Sequence, residues 1–273
     1  MENHPNLFHI ASRETEELSG PVKETRIETI RASDEDSSRK AVTNKFRTIM
    51  RFDRHGLKTE ELNYNPDGTL SNREVFSFDT HGRLIKKIST TETDIPRLIW
   101  TYTYSNNGRE ITEICKSGES LESREVIYLD DSGRKVEEFS YDRDEELVQI
   151  SRYEYVLENG KQKMIWKALT PGEDLLKKRI YAYSDQKLII QKEILTYSDE
   201  LEAREIYEYD DNNNLIEAIY YQGTHLIYQY SYQYRLDKQG NWVERKATVR
   251  YPENGITSEY ISERVVREID YYS

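Results

Sequence analysis

Aromatic and small polar residues alternate along the stretch from Leu226 to Trp242. Tyrosine occupies every second position from Tyr228 to Tyr234, and Gln or Ser fills the positions between them. A period of two is the side-chain period of a β-strand, so the four tyrosines should line one face. The segment Asp237–Gly240 follows and predicts a tight turn, because glycine readily adopts the positive φ that such turns require.

The same pattern of strand and turn recurs along most of the chain. Arg47–Gly56 aligns with Arg73–Gly82, and the frame returns at Arg97–Gly108, Arg124–Gly133 and Arg204–Asn214. Consecutive units are 25 to 28 residues apart, which identifies an internal repeat. The last apolar position of the successive units is Phe52, Phe78, Tyr104, Leu129, Tyr155, Tyr183, Tyr209 and Tyr234.

A second turn signal lies within each unit, as at Asn65–Gly68. Two turns per unit leave room for two strands that pair as a hairpin. The sequence therefore predicts an all-β protein, a long antiparallel hairpin meander of about 14 to 16 strands. Open sheets rarely exceed about 10 strands without curling. We expect a single curved sheet that is trough-like or partly closed.

Both faces of the predicted strands are mixed in character. In Arg204–Tyr209, Glu205, Tyr207 and Tyr209 share one face, and residues 204, 206 and 208 share the other. This mixture favours a single curved layer over a clean sandwich. The concave side should carry the aromatic lining, and the convex side should face water.

The chain divides into a short N-terminal segment and one repeat domain. Residues 1–19 lack the β pattern and predict a short helix or a docked arm, which Gly20 and Pro21 end. Residues 20–273 form the predicted domain. Within it, Val22–Arg31 is a plausible first strand, and Asp34–Lys40 is a polar loop by composition.

Composition narrows the function classes. Hydrophobic residues make up 36% of the chain, including 22 tyrosines, so the core should be thin and built largely from tyrosine. The formal net charge of −12 repels phosphate backbones and anionic membrane surfaces, which argues against nucleic acid as a partner. No apolar run reaches the ~20 residues of a membrane span, so no membrane insertion is expected. The first residues lack a leader pattern, which predicts a cytoplasmic protein, or an extracytoplasmic one if a leader has been trimmed.

The turns carry a recognisable motif. Phe78–Leu84 reads FDTHGRL and follows the pattern Tyr/Phe-Asp-x-x-Gly-Arg-Leu, and parts of it return at Phe52–Leu57, Leu129–Arg134 and Tyr209–Leu215. The units resemble the tyrosine-aspartate (YD, or Rhs-type) repeats of bacterial surface and toxin-carrying proteins, over about Arg47–Gly240. The chain ends resemble those of small stand-alone proteins of this kind. The resemblance implies a scaffold or binding module, usually exported, and brings no catalytic residue with it.

Candidate metal and catalytic groups have simpler interpretations. Asp210–Asn214 spaces oxygen ligands as a calcium loop does, but Leu215 stands where that loop needs glycine, so turn chemistry is favoured. His55 and His81 precede glycines in equivalent turns, where an unusual backbone conformation is favoured over a shared ligand. Cys115, the single cysteine, is expected to be a buried strand thiol. We expect no cofactor, no metal and no catalytic residue.

The tyrosine face is the candidate binding site. Neighbouring strands should add Tyr220 and Tyr221 to it. Such a surface suits carbohydrate or protein ligands, and the alternative is that the rings only hold the sheet together. Two further alternatives are a carbohydrate-processing enzyme using paired carboxylates and an immunity or chaperone-like partner of a toxin. The candidate residues are Tyr207, Tyr209, Tyr228, Tyr230, Tyr232, Tyr234 and Trp242.

Overall fold

The computed structural model describes residues 18–32, 43–93, 95–253 and 256–273, which form one antiparallel sheet. Of the predicted arm or helix at residues 1–19, all but the last two residues lie outside the described residues, as does the predicted polar loop at residues 34–40. Across the described residues, no helix is long and apolar enough to cross a membrane. The strands are β1 (Val22–Ala32), β2 (Thr43–Phe52), β3 (Lys58–Tyr64), β4 (Leu70–Phe78), β5 (Leu84–Thr90), β6 (Pro96–Ser105), β7 (Glu110–Ser117), β8 (Ser120–Leu129), β9 (Lys135–Tyr141), β10 (Leu147–Glu158), β11 (Lys161–Leu169), β12 (Leu175–Tyr183), β13 (Ile189–Leu195), β14 (Leu201–Tyr209), β15 (Leu215–Gln222), β16 (His225–Leu236), β17 (Trp242–Glu253) and β18 (Ile256–Tyr271).

The sheet closes on itself. Each strand pairs with its neighbours in sequence, and β1 also pairs with β18, from Val22 opposite Tyr271 to Arg31 opposite Glu263. The single antiparallel meander is therefore confirmed. The expectation of an open trough or partly closed sheet is wrong, because this last pairing makes a barrel of 18 strands. The repeat accounts for the sixteen strands from β2 to β17, and the two strands outside it close the barrel.

Side chains alternate between the lumen and the outer face. Inward-facing residues are the more buried: Ile111, Ile127 and Val249 are at most 2% exposed. The outer face carries ladders of ion pairs between adjacent strands, such as Arg73 with Glu60 at 2.7 Å. The charged outer face and the tyrosine-rich lining inside match the predicted polar convex face and aromatic concave face.

The turn motif has a clear structural basis at the rim where the described chain begins and ends, here called the lower rim. Asp79 Oδ1 accepts hydrogen bonds from the backbone N–H groups of His81 and Arg83, both at 2.9 Å. Arg83 Nε donates to Asp79 Oδ2 at 2.7 Å, and its guanidinium lies 4.5 Å from the ring centroid of Tyr104. The Tyr104 hydroxyl donates to the carbonyl of Leu84 at 2.8 Å. This turn is thereby fastened to the next unit.

A small apolar cluster secures the lower rim. Leu18 is 4% exposed and packs with Val22, Met50 and Phe52. Asn241 joins this segment to a neighbouring turn, since its amide bonds both the backbone N–H and the carbonyl of Ser19. The segment just before β1 and the barrel wall are thus held together at the seam where β1 meets β18.

Closure predicts a specific cross-link. Glu28 on β1 lies opposite Val266 on β18 on the outer face, and opposed residues of antiparallel strands have Cα atoms about 4.5–5.5 Å apart, within disulfide reach. In a Cys115→Ser background, Glu28→Cys with Val266→Cys should form an intramolecular disulfide on mild oxidation, detected by mass spectrometry. Glu28→Cys with Glu208→Cys on β14 is the matched control and should remain reduced. Equal cross-linking of the two pairs would contradict the closed barrel.

Candidate functional site

The barrel encloses a lumen. Eighteen strands spaced ~4.8 Å apart give a radius of about 14 Å even before strand tilt is included, and barrels of this size hold water rather than a packed core. Tyrosine, glutamate and lysine side chains line the lumen, and many of them are only partly buried. A ligand inside would therefore meet aromatic rings and charged groups that water already reaches.

One side of the lumen is an aromatic wall on β15 to β18. Tyr220 and Tyr228 stack with centroids 4.8 Å apart and an interplanar angle of 11°. Tyr228 also meets Tyr230 edge to face at 5.4 Å. Further contacts at 6.0 to 6.2 Å extend the surface without a break. The aromatic wall consists of Tyr220, Tyr228, Tyr230, Tyr232, Tyr251 and Tyr260, all partly exposed.

The charged groups beside the aromatic wall are paired. Glu205 lies opposite Tyr220, is 3.4 Å from the Lys192 ammonium and accepts a hydrogen bond from the Tyr207 hydroxyl. Arg245 lies near the Tyr232 ring and binds Glu263 at 2.7 Å. Each carboxylate is thus balanced locally by a cation, and the wall presents little net charge to the lumen.

The predicted tyrosines divide into two groups. Tyr228, Tyr230 and Tyr232 lie in the aromatic wall, and Tyr207 borders it through Glu205. Tyr209 and Tyr234 instead lie at the lower rim, where their hydroxyls donate to the carbonyls of Ile189 and Leu215 at 2.8 and 2.9 Å. Those two rings serve the same fastening role as Tyr104.

Two further residues that the sequence placed on the tyrosine face lie outside the aromatic wall. Trp242 is only 5% exposed, beneath the Arg267 guanidinium at 3.5 Å from its ring centroid, so it is a rim core residue. The placement of Tyr221 on the tyrosine face is wrong: it lies on the outer face, paired with Arg204. Tyr251 and Tyr260 were missed because β17 and β18 carry only one wall tyrosine each, without the alternating signal of β16.

A carboxylate cluster occupies the opposite side of the lumen. Glu113 on β7 lies directly opposite Glu125 on β8, and Glu125 is hydrogen-bonded to Glu138 on β9. β7 and β16 are nine strands apart, half of the 18-stranded circuit, so this cluster faces the aromatic wall. Sequence reasoning could not find it, because the three residues are 12 and 13 positions apart and only the strand pairing brings them together.

The three carboxyl groups have different proton affinities. Burial, followed by repulsion from Glu138 and Glu113, raises the pKa of Glu125 to about 7. Burial also raises the pKa of Glu113, although Lys87 opposes this. Burial would raise the pKa of Glu138 as well, but the Lys135 ammonium 2.5 Å away and the Tyr153 hydroxyl outweigh it and leave that pKa lowered.

The remaining candidates behave as structural groups. Cys115 is 5% exposed on the inner face, where burial and then nearby Glu113 raise the pKa of its thiol, so it is the buried strand thiol that was predicted. Asp210 Oδ1 accepts the backbone N–H groups of Asn212 and Asn214 at 2.9 and 2.8 Å, as a turn residue does. Within the described residues, no group of three or more His, Cys, Asp or Glu is arranged to hold a metal ion.

Comparisons with known proteins find likeness only at the level of structure. No protein-family model and no curated protein matches the sequence. A porin-like protein from Bacteroides uniformis is 14% identical, with 92% of this chain and all of that chain covered and a TM-score of 0.49. A porin-like protein from Bacteroides vulgatus is 12% identical, with 90% and 97% covered and a TM-score of 0.40. A LolA superfamily protein from Nitrosomonas europaea is 7% identical, with 93% and 86% covered and a TM-score of 0.23.

The proton affinity of Glu125 predicts how stability depends on pH. A carboxyl group whose folded pKa is raised from 4.5 to about 7 favours the folded state below pH 4.5, and this contribution is lost as pH rises through about 7. Glu125→Gln should therefore increase the free energy of unfolding by ~1–2 kcal/mol at pH 8.5, after allowance for screening by lumen water. At pH 5 its effect should be much smaller.

Urea denaturation at pH 5 and pH 8.5 measures both values. Glu208→Gln is the matched control, because Glu208 is exposed on the outer face. Its effect should be small and the same at both pH values. A Glu125→Gln effect that does not change with pH would contradict the assignment.

Proposed function

We propose that this chain is a non-enzymatic binding protein that holds a carbohydrate in its lumen, against the aromatic wall. The observation that carries the proposal is the partial exposure of six contiguous tyrosine rings inside a closed barrel. Aromatic planes suit the apolar faces of sugar rings, and the hydroxyl and carboxylate groups around them suit the polar edges.

Other tyrosines in the same lumen show what a purely structural ring looks like. Tyr102 and Tyr181 also face inward, and they are only 6% and 5% exposed. The rings of the aromatic wall retain more accessible surface than these, although the residue type and the barrel are the same. That difference in exposure favours a binding surface over rings that only hold the sheet together.

The closed sheet favours a sugar over a protein ligand. An extended peptide adds to a sheet by pairing with a free strand edge. In the described part of the barrel every strand already has two partners, so this mode of recognition has no edge to use. A glycan can bind to the tyrosine rings inside the lumen without a free strand edge.

The carboxylate cluster supports a binding role over glycoside hydrolysis. Glycosidases hold their two carboxyl groups about 5 Å or more apart, with the scissile bond between them. Glu125 and Glu138 are directly hydrogen-bonded, which leaves no space for a sugar. The geometry is that of two acids that share a proton.

The kinship with YD repeats and an extracytoplasmic location remain parts of the proposal. The contacts among Asp79, Arg83 and Tyr104 support the kinship, because they give the aspartate and the arginine of the motif, and the aromatic residue of the next unit, a structural role. No contact in the described residues favours the alternative of a toxin partner.

Loss of wall rings should weaken carbohydrate binding. Tyr230→Ala and Tyr232→Ala each remove one stacking surface, and each should reduce the affinity for a bound neutral oligosaccharide at least tenfold in calorimetric titration. Because the rings are partly exposed, each variant should lose only about 1 kcal/mol of unfolding free energy.

The control is Tyr221→Ala on the outer face, which should leave binding unchanged. Tyr230→Phe keeps the ring and should retain most of the affinity. Destabilisation of ~2–4 kcal/mol by both alanine variants would show that the rings are core and would refute the binding role. Binding that survives both substitutions would place the site elsewhere.

A further inference from the structure

We propose that β7, β8 and β9 form a pH-responsive segment of the barrel wall, which is closed while Glu125 shares a proton with Glu138 and loosens once that proton is lost. The inference goes beyond carbohydrate binding. It uses the carboxylate cluster, for which the proposed function has no role.

The geometry concentrates negative charge on one small area of the inner face. Glu113 and Glu125 are direct cross-strand neighbours, a position at which like charges destabilise a sheet. Glu138 lies on the other side of Glu125 and shares a hydrogen bond with it. With all three ionised, the middle strand of the segment is repelled from both of its neighbours.

The nearby cations do not remove this conflict. Lys135 is engaged by Glu138 at 2.5 Å, and its attraction for Glu125 does not outweigh the burial and repulsion that raise the pKa of that group. Lys87 lies two strands from Glu113 and is 3.8 Å from Glu74. The titratable and charged groups that face Glu125 from the elements around it are Glu113 and Cys115 on β7, Tyr102 on β6, Lys87 on β5, Lys135 and Glu138 on β9 and Tyr153 on β10.

A single proton resolves the conflict at neutral pH. When Glu125 is protonated it donates to Glu138, which removes one charge and adds a hydrogen bond between β8 and β9. The proton affinity of Glu125 places its loss near pH 7. Above that pH the hydrogen bond is lost and the repulsion with Glu113 and Glu138 returns. Local opening of a strand pair is the expected response.

Cys115 is a built-in reporter of this opening. It lies on the inner face of β7, two residues from Glu113, and is 5% exposed. Its labelling by a small maleimide is therefore limited by opening of the wall. The rate is measured in the wild-type chain and in Glu125→Gln at pH 6 and pH 8.5, and the two proteins are compared at each pH so that the general increase of thiol ionisation with pH cancels.

The ratio of the wild-type rate to the Glu125→Gln rate should be near one at pH 6 and should reach roughly threefold or more at pH 8.5. A purely electrostatic effect of Glu125 on the Cys115 thiol would change the ratio in the opposite direction, because a negative charge at Glu125 would disfavour the thiolate and lower the wild-type rate. A ratio that stays constant or falls between the two pH values would overturn the proposal.

Two controls separate this result from general instability. Glu208→Gln on the outer face should label like the wild type at both pH values, and a rise in its ratio would also overturn the proposal. Circular dichroism at pH 8.5 should show an intact β spectrum for the wild type and for Glu125→Gln. Loss of that spectrum in the wild type would mean global unfolding and would refute a local device. Carbohydrate binding is not measured, so this result is independent of the proposed function.

Discussion

The pairing of β1 with β18 is the constraint on which the rest of the structure depends. Nine residue pairs along these strands, from Val22 with Tyr271 to Arg31 with Glu263, join the two ends of an otherwise linear meander. A sheet of this width would otherwise expose two long edges, which proteins rarely tolerate. Closure removes both edges and defines a lumen. It also places the aromatic wall and the carboxylate cluster on opposite sides of one enclosed space.

The repeat supplies the regularity that closure needs. In the two turns that keep both the aspartate and the arginine of the motif, the aspartate accepts backbone hydrogen bonds, the arginine binds that aspartate, and the same arginine covers a tyrosine of the next unit, as at Asp130, Arg134 and Tyr155. Bulges recur beside these turns, as between Tyr128 and Leu129. Bulges add twist and bend the sheet. A bend repeated once per hairpin curls the meander steadily until its ends meet.

Sequence reasoning reached the repeat and the facing pattern but not the closure. The repeat frame specifies sixteen strands through its periodic aromatic positions. β1 and β18 lie outside that frame, so the repeat pattern does not predict that they pair. The alternation in β16 correctly placed Tyr228, Tyr230 and Tyr232 on one inner face. It could not tell that Tyr234 belongs to the rim fastening, because that role depends on the carbonyl of Leu215 on the neighbouring strand. The carboxylate cluster is likewise a product of strand register, and no local signal marks it.

Hydrogen exchange at the seam tests the central claim most directly. In a closed barrel the amides of Thr25–Ile30 and Arg264–Val266 lie in strands that are paired on both sides, as those of interior strands are. Mass spectrometry should therefore find both segments protected to an extent similar to β7 and β8. In an open sheet, alternate amides of β1 and β18 would face water and exchange within seconds, while β7 and β8 stayed protected. Rapid exchange confined to the two seam strands would contradict the closed barrel and, with it, the lumen.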